Sequence, residues 1–307
     1  MIQVYTPQSD RRFSYSEYGA TGGHPVLAFH GTPGSRLKYA VAHDVACTLG
    51  LRILSIDRWG YGQTPSPTPA DISLRNFGQD MADLLDTKGL ERASIVGISG
   101  GGPYAMATAA VLKQRAVALA LVAPVAPLKP SSASNAAVGR TSSHAPAGPT
   151  ARRMSAFHRF AFFGAPKVPG LIRGTFNVLR STLNVNGRLA MRMVTARACS
   201  TDRAIACRPP TADRLAEVFR EGLAASCDGP VIDMQVFSTP WNVSLEDISA
   251  RARLWIGELD RNVPVQPAIA IADQIPHLTV TRLPDSGHFW ISENYATVLG
   301  WIANQQG

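Results

Sequence analysis

Residues 93–110 constrain the fold more than any other stretch of the chain. Ala93-Ser94-Ile95-Val96 is a short apolar, β-branched run, Gly97-Ile98-Ser99-Gly100-Gly101 is a glycine-rich turn, and residues 103–110 form an alanine-rich helical pattern that opens on Pro103. A strand that turns so sharply into a helix belongs to a mostly parallel sheet covered by helices. The turn reads G-x-S-x-G, the nucleophile elbow, which lifts a serine hydroxyl to the end of its strand. Gly97 and Gly101 are expected to let helix and strand pack closely. Gly100 is expected to leave its N–H open to an incoming oxygen, at the positive end of the following helix.

Strand and helix patterns alternate on both sides of this turn. Residues 13–18, 26–29, 52–56, 117–122, 252–256 and 278–283 read as strands, and residues 37–49, 74–86, 267–275 and 289–303 as helices. This predicts an α/β fold with a mostly parallel central sheet flanked by helices. Its core is split into residues 1–124 and 242–307 around an inserted helical cap, 125–241. Within the insertion, residues 129–150 are rich in Ser, Ala, Pro and Gly and read as a flexible connection. Residues 151–219 read as helices broken at Pro166, Pro169 and Pro209-Pro210. Phe157, Phe160, Phe162, Phe163 and Phe176 could line the underside of this lid, although packing within its own core is the commoner role for any one of them.

Charge is concentrated in the same segment. The chain carries 30 Lys and Arg against 22 Asp and Glu, and residues 129–241 hold 15 of the former and 6 of the latter. The whole positive excess therefore lies in the insertion. Attraction of an anionic substrate or membrane is one reading; a solvated arginine-rich face is the favoured one, because few aromatics alternate with the charges as stacking onto nucleic acid requires. Residues 1–7 lack a basic stretch followed by an apolar one, which argues against a secretory signal. The longest apolar run, 116–126, is too short to span a bilayer. The four cysteines form no C-x-x-C pair and read as free thiols, and the expected location is cytoplasmic.

A serine hydroxyl is a weak nucleophile until a base takes its proton. Of seven histidines, His288 stands directly after the last predicted strand, where a loop can carry the imidazole over the sheet edge. The histidine needs an acid to hold its tautomer. Gly257-Glu258-Leu259-Asp260 follows the strand at 252–256 and offers Asp260, with Glu258 in reserve. The order Ser99, Asp260, His288 suits this type of sheet. Two amides are then needed for an oxyanion, that of Gly100 and that of Thr32 in His30-Gly31-Thr32-Pro33-Gly34. His30 is expected to organise this loop by hydrogen bonding instead of moving a proton.

The chain resembles a capped serine hydrolase of the α/β-hydrolase fold over nearly its whole length outside the lid. H-G-T-P-G-S resembles the oxyanion loop, and Asp57-Arg58-Trp59-Gly60-Tyr61-Gly62-Gln63-Thr64 the D-x-x-G-x-G-x-S turn. G-I-S-G-G, G-E-L-D-x-x-V-P and S-G-H-F resemble the elbow, acid loop and histidine loop. The resemblance implies Ser99, Asp260 and His288 as catalytic residues and Thr32 and Gly100 as oxyanion donors. It also implies a structural Asp57 and a Trp59 bordering the substrate, with no metal and no cofactor. Departures narrow the activity. Haloalkane dehalogenases and epoxide hydrolases carry aspartate at the elbow. Ring-cleavage carbon–carbon hydrolases usually show G-N-S-x-G-G where this chain has Ile98, and prolyl aminopeptidases H-G-G-P-G and G-x-S-W-G. The expected function is hydrolysis of a small-molecule carboxylic ester by a monomer or homodimer with no nucleic-acid partner. Amide, lactone or carbon–carbon hydrolysis by the same residues, a slow-turnover ligand receptor of this fold, and a membrane-peripheral lipase are the rivals.

Overall fold

The computed structural model describes residues 2–7, 9–127, 164 and 167–306. The connection expected at 129–150, Pro166, and Phe157, Phe160, Phe162 and Phe163 lie outside them. Among the described residues one eight-stranded sheet has the order β1-β2-β4-β3-β5-β6-β7-β8. Its strands are β1 (Ile2–Tyr5), β2 (Phe13–Gly19), β3 (His24–Phe29), β4 (Leu51–Ile56), β5 (Ala93–Ile98), β6 (Ala116–Val122), β7 (Arg251–Gly257) and β8 (Leu278–Leu283). β2 is antiparallel to β1 and β4, and every other pair is parallel. β1 was not anticipated; it is four residues long and buries only Tyr5, so it carries little hydrophobic pattern.

The helices in chain order are α1 (His43–Thr48), α2 (Leu74–Thr87), α3 (Gly102–Leu112), α4 (Pro169–Val185), α5 (Gly187–Val194), α6 (Ser200–Ala206), α7 (Pro209–Gly222), α8 (Asp228–Ser238), α9 (Val265–Ile269) and α10 (Tyr295–Ala303). The period-2 pleat divides the central strands between two cores. Leu27, Phe29 and Ile95 join Phe77, Met81 and Tyr104 of α2 and α3, while Val26, Ala28, Val96 and Ile98 join Ala46, Val298, Leu299 and Ile302 of α1 and α10. Burial on both faces explains why these strands read as continuous apolar runs. Ser73 starts α2 by accepting the Asn76 amide at 3.1 Å. The helix expected over 37–49 is a 3-10 turn, Arg36–Ala42, followed by α1. The one expected over 289–303 splits at Asn294 into a 3-10 turn, His288–Glu293, and α10.

Helices α4–α8 lie between β6 and β7. Pro169, Pro209 and Pro210 open α4 and α7 instead of breaking helices, because a first-turn residue has no intrahelical use for the N–H that proline lacks. These helices have their own core of Leu183, Met191, Leu215 and Phe219, and Phe176 packs against it. Phe289, from the sheet's carboxyl edge, reaches into the same cluster. All four cysteines are free. Among the described residues no helix is long and apolar enough to cross a membrane.

Candidate active site

Ser99 follows β5 directly and has φ of 54°, in the left-handed region that disfavours a side chain. Such a conformation costs on the order of 1–3 kcal/mol and persists only where the surroundings impose it. Here the Ser99 carbonyl accepts the Val125 amide at 3.1 Å, and Gly31 borders the side chain so closely that a β-carbon on it would lie 3.2 Å from Ser99 Cβ. The amide of Gly100 belongs to the first turn of the helical segment that runs from Ser99 into α3, where N–H groups lack an intrahelical acceptor. Glycine at 100 has a further reason. A β-carbon there would overlap the Thr32 hydroxyl and touch Phe237, so the position serves close packing against the Thr32 loop.

Asp260 and His288 meet at the ends of β7 and β8. Asp260 Oδ2 lies 2.7 Å from His288 Nδ1, while its Oδ1 accepts the amides of Asn262 at 2.7 Å and Val263 at 3.0 Å. The carboxylate is thus fixed by its own turn and aimed at the ring. Glu258, the reserve acid, pairs instead with Arg282 at 2.7 Å on a more exposed edge. Burial opposes charging of His288. The charge and hydrogen bond of Asp260, aided by Asp202 and opposed by Lys38, outweigh it and hold the imidazole above its ordinary value.

The loop after β3 is organised by His30. Its Nδ1 contacts the Gly31 carbonyl at 2.8 Å and its Nε2 accepts the Arg58 amide at 3.2 Å. Burial and the neighbouring Arg58 charge push its pKa well down, so the ring is neutral with the proton on Nδ1. Asp57 is fully buried and accepts the Ser14 hydroxyl at 2.7 Å and both the amide and guanidinium of Arg36 at 2.6 Å. It pins the turn after β4, the role the resemblance implied.

Trp59 is a correction. It was expected to border a substrate, yet it is 1% exposed and packs edge-on against Phe77 and Tyr104 beside Phe13. The turn that directs Asp57 toward Arg36 sends Trp59 into the core beneath the sheet, so its role is packing.

The profile of the alpha/beta hydrolase family matches residues 26–300, which takes in every strand from β4 to β8 and all three loops just described. The chain belongs to the alpha/beta hydrolase family. An abhydrolase domain-containing protein of Schizosaccharomyces pombe is 33% identical over 101 residues, 32% of this chain and 37% of that protein. The chain therefore spans about a third of the length of the curated relatives it matches. A thermophilic esterase from Thermogutta terrifontis has the same fold, with a TM-score of 0.67 and 18% identity over 100% of both chains. So does an epoxide hydrolase from Vigna radiata, with a TM-score of 0.68 and 15% identity over 99% of this chain and 98% of the other.

Beyond its motif residues, this alpha/beta hydrolase holds a buried polar cluster that the sequence reading missed. Asp233, on α8, accepts the Thr32 hydroxyl at 2.5 Å, the Tyr61 hydroxyl at 2.6 Å, the Tyr104 hydroxyl at 2.9 Å and both terminal nitrogens of Arg58. Arg58 in turn donates to the carbonyls of His30 at 3.1 Å and Gly31 at 3.0 Å. The one available signal was a lone acid inside the apolar run Val231-Ile232-Asp233-Met234. Asp202 of α6 was also missed, and it accepts the backbone amides of His288 and Phe289.

Proposed function

We propose that this alpha/beta hydrolase cleaves a small-molecule carboxylic ester through an acyl-enzyme on Ser99, with its inserted helices as a cap over the sheet's carboxyl edge. The observation that carries this reading is the 2.7 Å contact between Asp260 and His288 at the same strand ends where Ser99 is held in a strained turn. His288 Nδ1 donates to Asp260, which leaves Nε2 to accept a proton. In the first half-reaction His288 takes the Ser99 proton as the oxygen bonds to the ester carbonyl carbon. The Thr32 and Gly100 amides hold the resulting oxyanion, and the imidazolium then protonates the departing alcohol. Water attacks the acyl-enzyme in the second half, with the same proton traffic, and releases the acid. Because the Thr32 hydroxyl is committed to Asp233, the backbone amide is the group of that residue assigned to the oxyanion.

Labelling with a fluorophosphonate, followed by a panel of p-nitrophenyl esters, lactones and aryl amides, tests the reading. Phosphonylation confined to Ser99 and rapid multiple turnover of an ester are expected. A label elsewhere, or a wild-type protein that binds esters but never turns over, refutes it.

The raised His288 pKa fixes the sign of the pH dependence. Only neutral imidazole can act as base, so kcat/KM should fall as pH drops, with a midpoint above the ordinary histidine value of 6.5. A midpoint below that value in a pH–rate profile would contradict the Asp260 pairing. The stability term has the opposite direction. A folded pKa above the unfolded one stabilises the fold fully below the unfolded value, and that contribution is lost as pH rises through the folded value.

A further inference from the structure

The segment between β6 and β7 is bound to the catalytic loops by more than apolar contact. Gly222 accepts the Gly62 amide at 3.0 Å, the Gly229 amide reaches Gly60 at 3.2 Å, and Glu221 pairs with Arg36 at 2.6 Å. Two of its carboxylates go deeper, and both are completely buried. Asp202 Oδ2 accepts the His288 amide at 2.9 Å, and Oδ1 accepts the Phe289 amide at 2.7 Å. These amides open the 3-10 turn His288–Glu293, where N–H groups have no intrahelical acceptor and negative charge is favoured. Gly287 lets the carboxylate in, since a β-carbon there would overlap it. Asp233 holds the other loop through the Thr32 hydroxyl and, by way of Arg58, through the carbonyls of His30 and Gly31.

We infer that the inserted segment completes the reaction centre through these two carboxylates, Asp202 positioning the His288 loop and Asp233 positioning the Thr32 loop. The inference rests on the serine-hydrolase reading. Neither group reaches the reacting atoms; each acts through a residue that does. Simple attachment of the insertion would be served as well by apolar contacts, because burying a charge carries a desolvation cost that its pairing only partly offsets. What apolar contacts cannot do is fix two backbone amides beside the imidazole and one hydroxyl beside the oxyanion donors. Asp202 has a second effect. Three charged groups act on His288: Asp260 on its ring, Asp202 behind its backbone, and Lys38 in opposition. Asp202 therefore also favours the imidazolium that forms during turnover.

The test uses the full-length protein with Asp202→Asn, Asp233→Asn and Thr32→Val. Asp202→Asn keeps the shape and one acceptor but removes the charge. Followed by NMR, the His288 ring should then titrate lower by about half a unit or more, and the acid limb of kcat/KM should move down with it. Asp233→Asn should lower kcat by about 10- to 100-fold, with little change in KM and no movement of the acid limb. If Asp233→Asn fails to fold, Thr32→Val carries this arm. It keeps the Arg58–Asp233 pair and the Thr32 amide, cuts only the tether, and should lower kcat in the same way while amide exchange over residues 28–36 becomes faster. An unmoved His288 titration in folded Asp202→Asn, or wild-type kcat and amide exchange in folded Thr32→Val, would overturn the inference. The NMR and exchange readouts need no substrate. A shifted titration together with an unlabelled Ser99 would therefore keep the positioning role while rejecting the hydrolase reading.

Discussion

Replacing Ser99 by alanine is expected to lower kcat by about a million-fold on whichever ester the wild-type protein turns over, by analogy with removal of the nucleophile from another serine hydrolase. The loss is so large because Ser99 and His288 would act as a unit, and removing one leaves the other with nothing to activate. Residual catalysis of about 10³–10⁴-fold over water should survive, supplied by the oxyanion donors and binding alone. The fold should not suffer. Alanine at φ of 54° is no more strained than serine, and the contacts that impose this turn come from the Ser99 carbonyl and from Gly31. Steady-state kinetics beside a thermal melt check both halves, and a variant that keeps even a hundredth of wild-type kcat would remove Ser99 from the chemistry.

Asp260→Asn should cost about 10⁴-fold in kcat while leaving the protein folded. The geometry says why. Asp260 Oδ1 is held by two backbone donors, the amides of Asn262 and Val263. An asparagine would keep its carbonyl oxygen there and turn its NH₂ toward His288 Nδ1. That nitrogen would have to become an acceptor, the ring proton would move to Nε2, and in the proposed mechanism Nε2 could then no longer take the Ser99 proton. Loss of the carboxylate charge would also lower the His288 pKa, so the small remaining activity should extend to lower pH than in the wild type. A loss of less than about tenfold would mean that Asp260 orients the loop without governing the tautomer.

Much of the candidate site was legible in the sequence because its parts are local. Ser99, Asp260 and His288 each stand a few residues beyond an apolar strand, and a parallel sheet brings such positions to one edge whatever the connecting segments do. Asp260 could be preferred over Glu258 for the same reason, since it sits past the strand end while Glu258 remains beside Arg282. Trp59 shows where local reading fails. Its neighbours Phe13, Phe77 and Tyr104 come from β2, α2 and α3, and nothing within the turn itself says that the indole faces them. Asp202 and Asp233 were hidden in the same way. Their partners lie 86 and 201 positions away in the chain, and a single acid in a helix has no pattern of its own. The 3-10 turn at His288–Glu293 was read as α-helix because its apolar residues continue the spacing of α10 up to Asn294.

The ion pair between Arg58 and Asp233 spans 175 positions of sequence. A nascent polypeptide that has emerged only as far as β6 already possesses the elbow and the loop after β3, yet its guanidinium has no counter-ion and must stay hydrated. Products truncated before α8 should accordingly leave Arg58 hydrated and the loop after β3 without its Thr32 anchor even if the early strands have paired. Contacts closed over such long separations are made late in folding, when loop-closure entropy has been overcome. The arrangement thus makes anchoring of the loop after β3 wait for a segment that follows Arg58 by 175 positions.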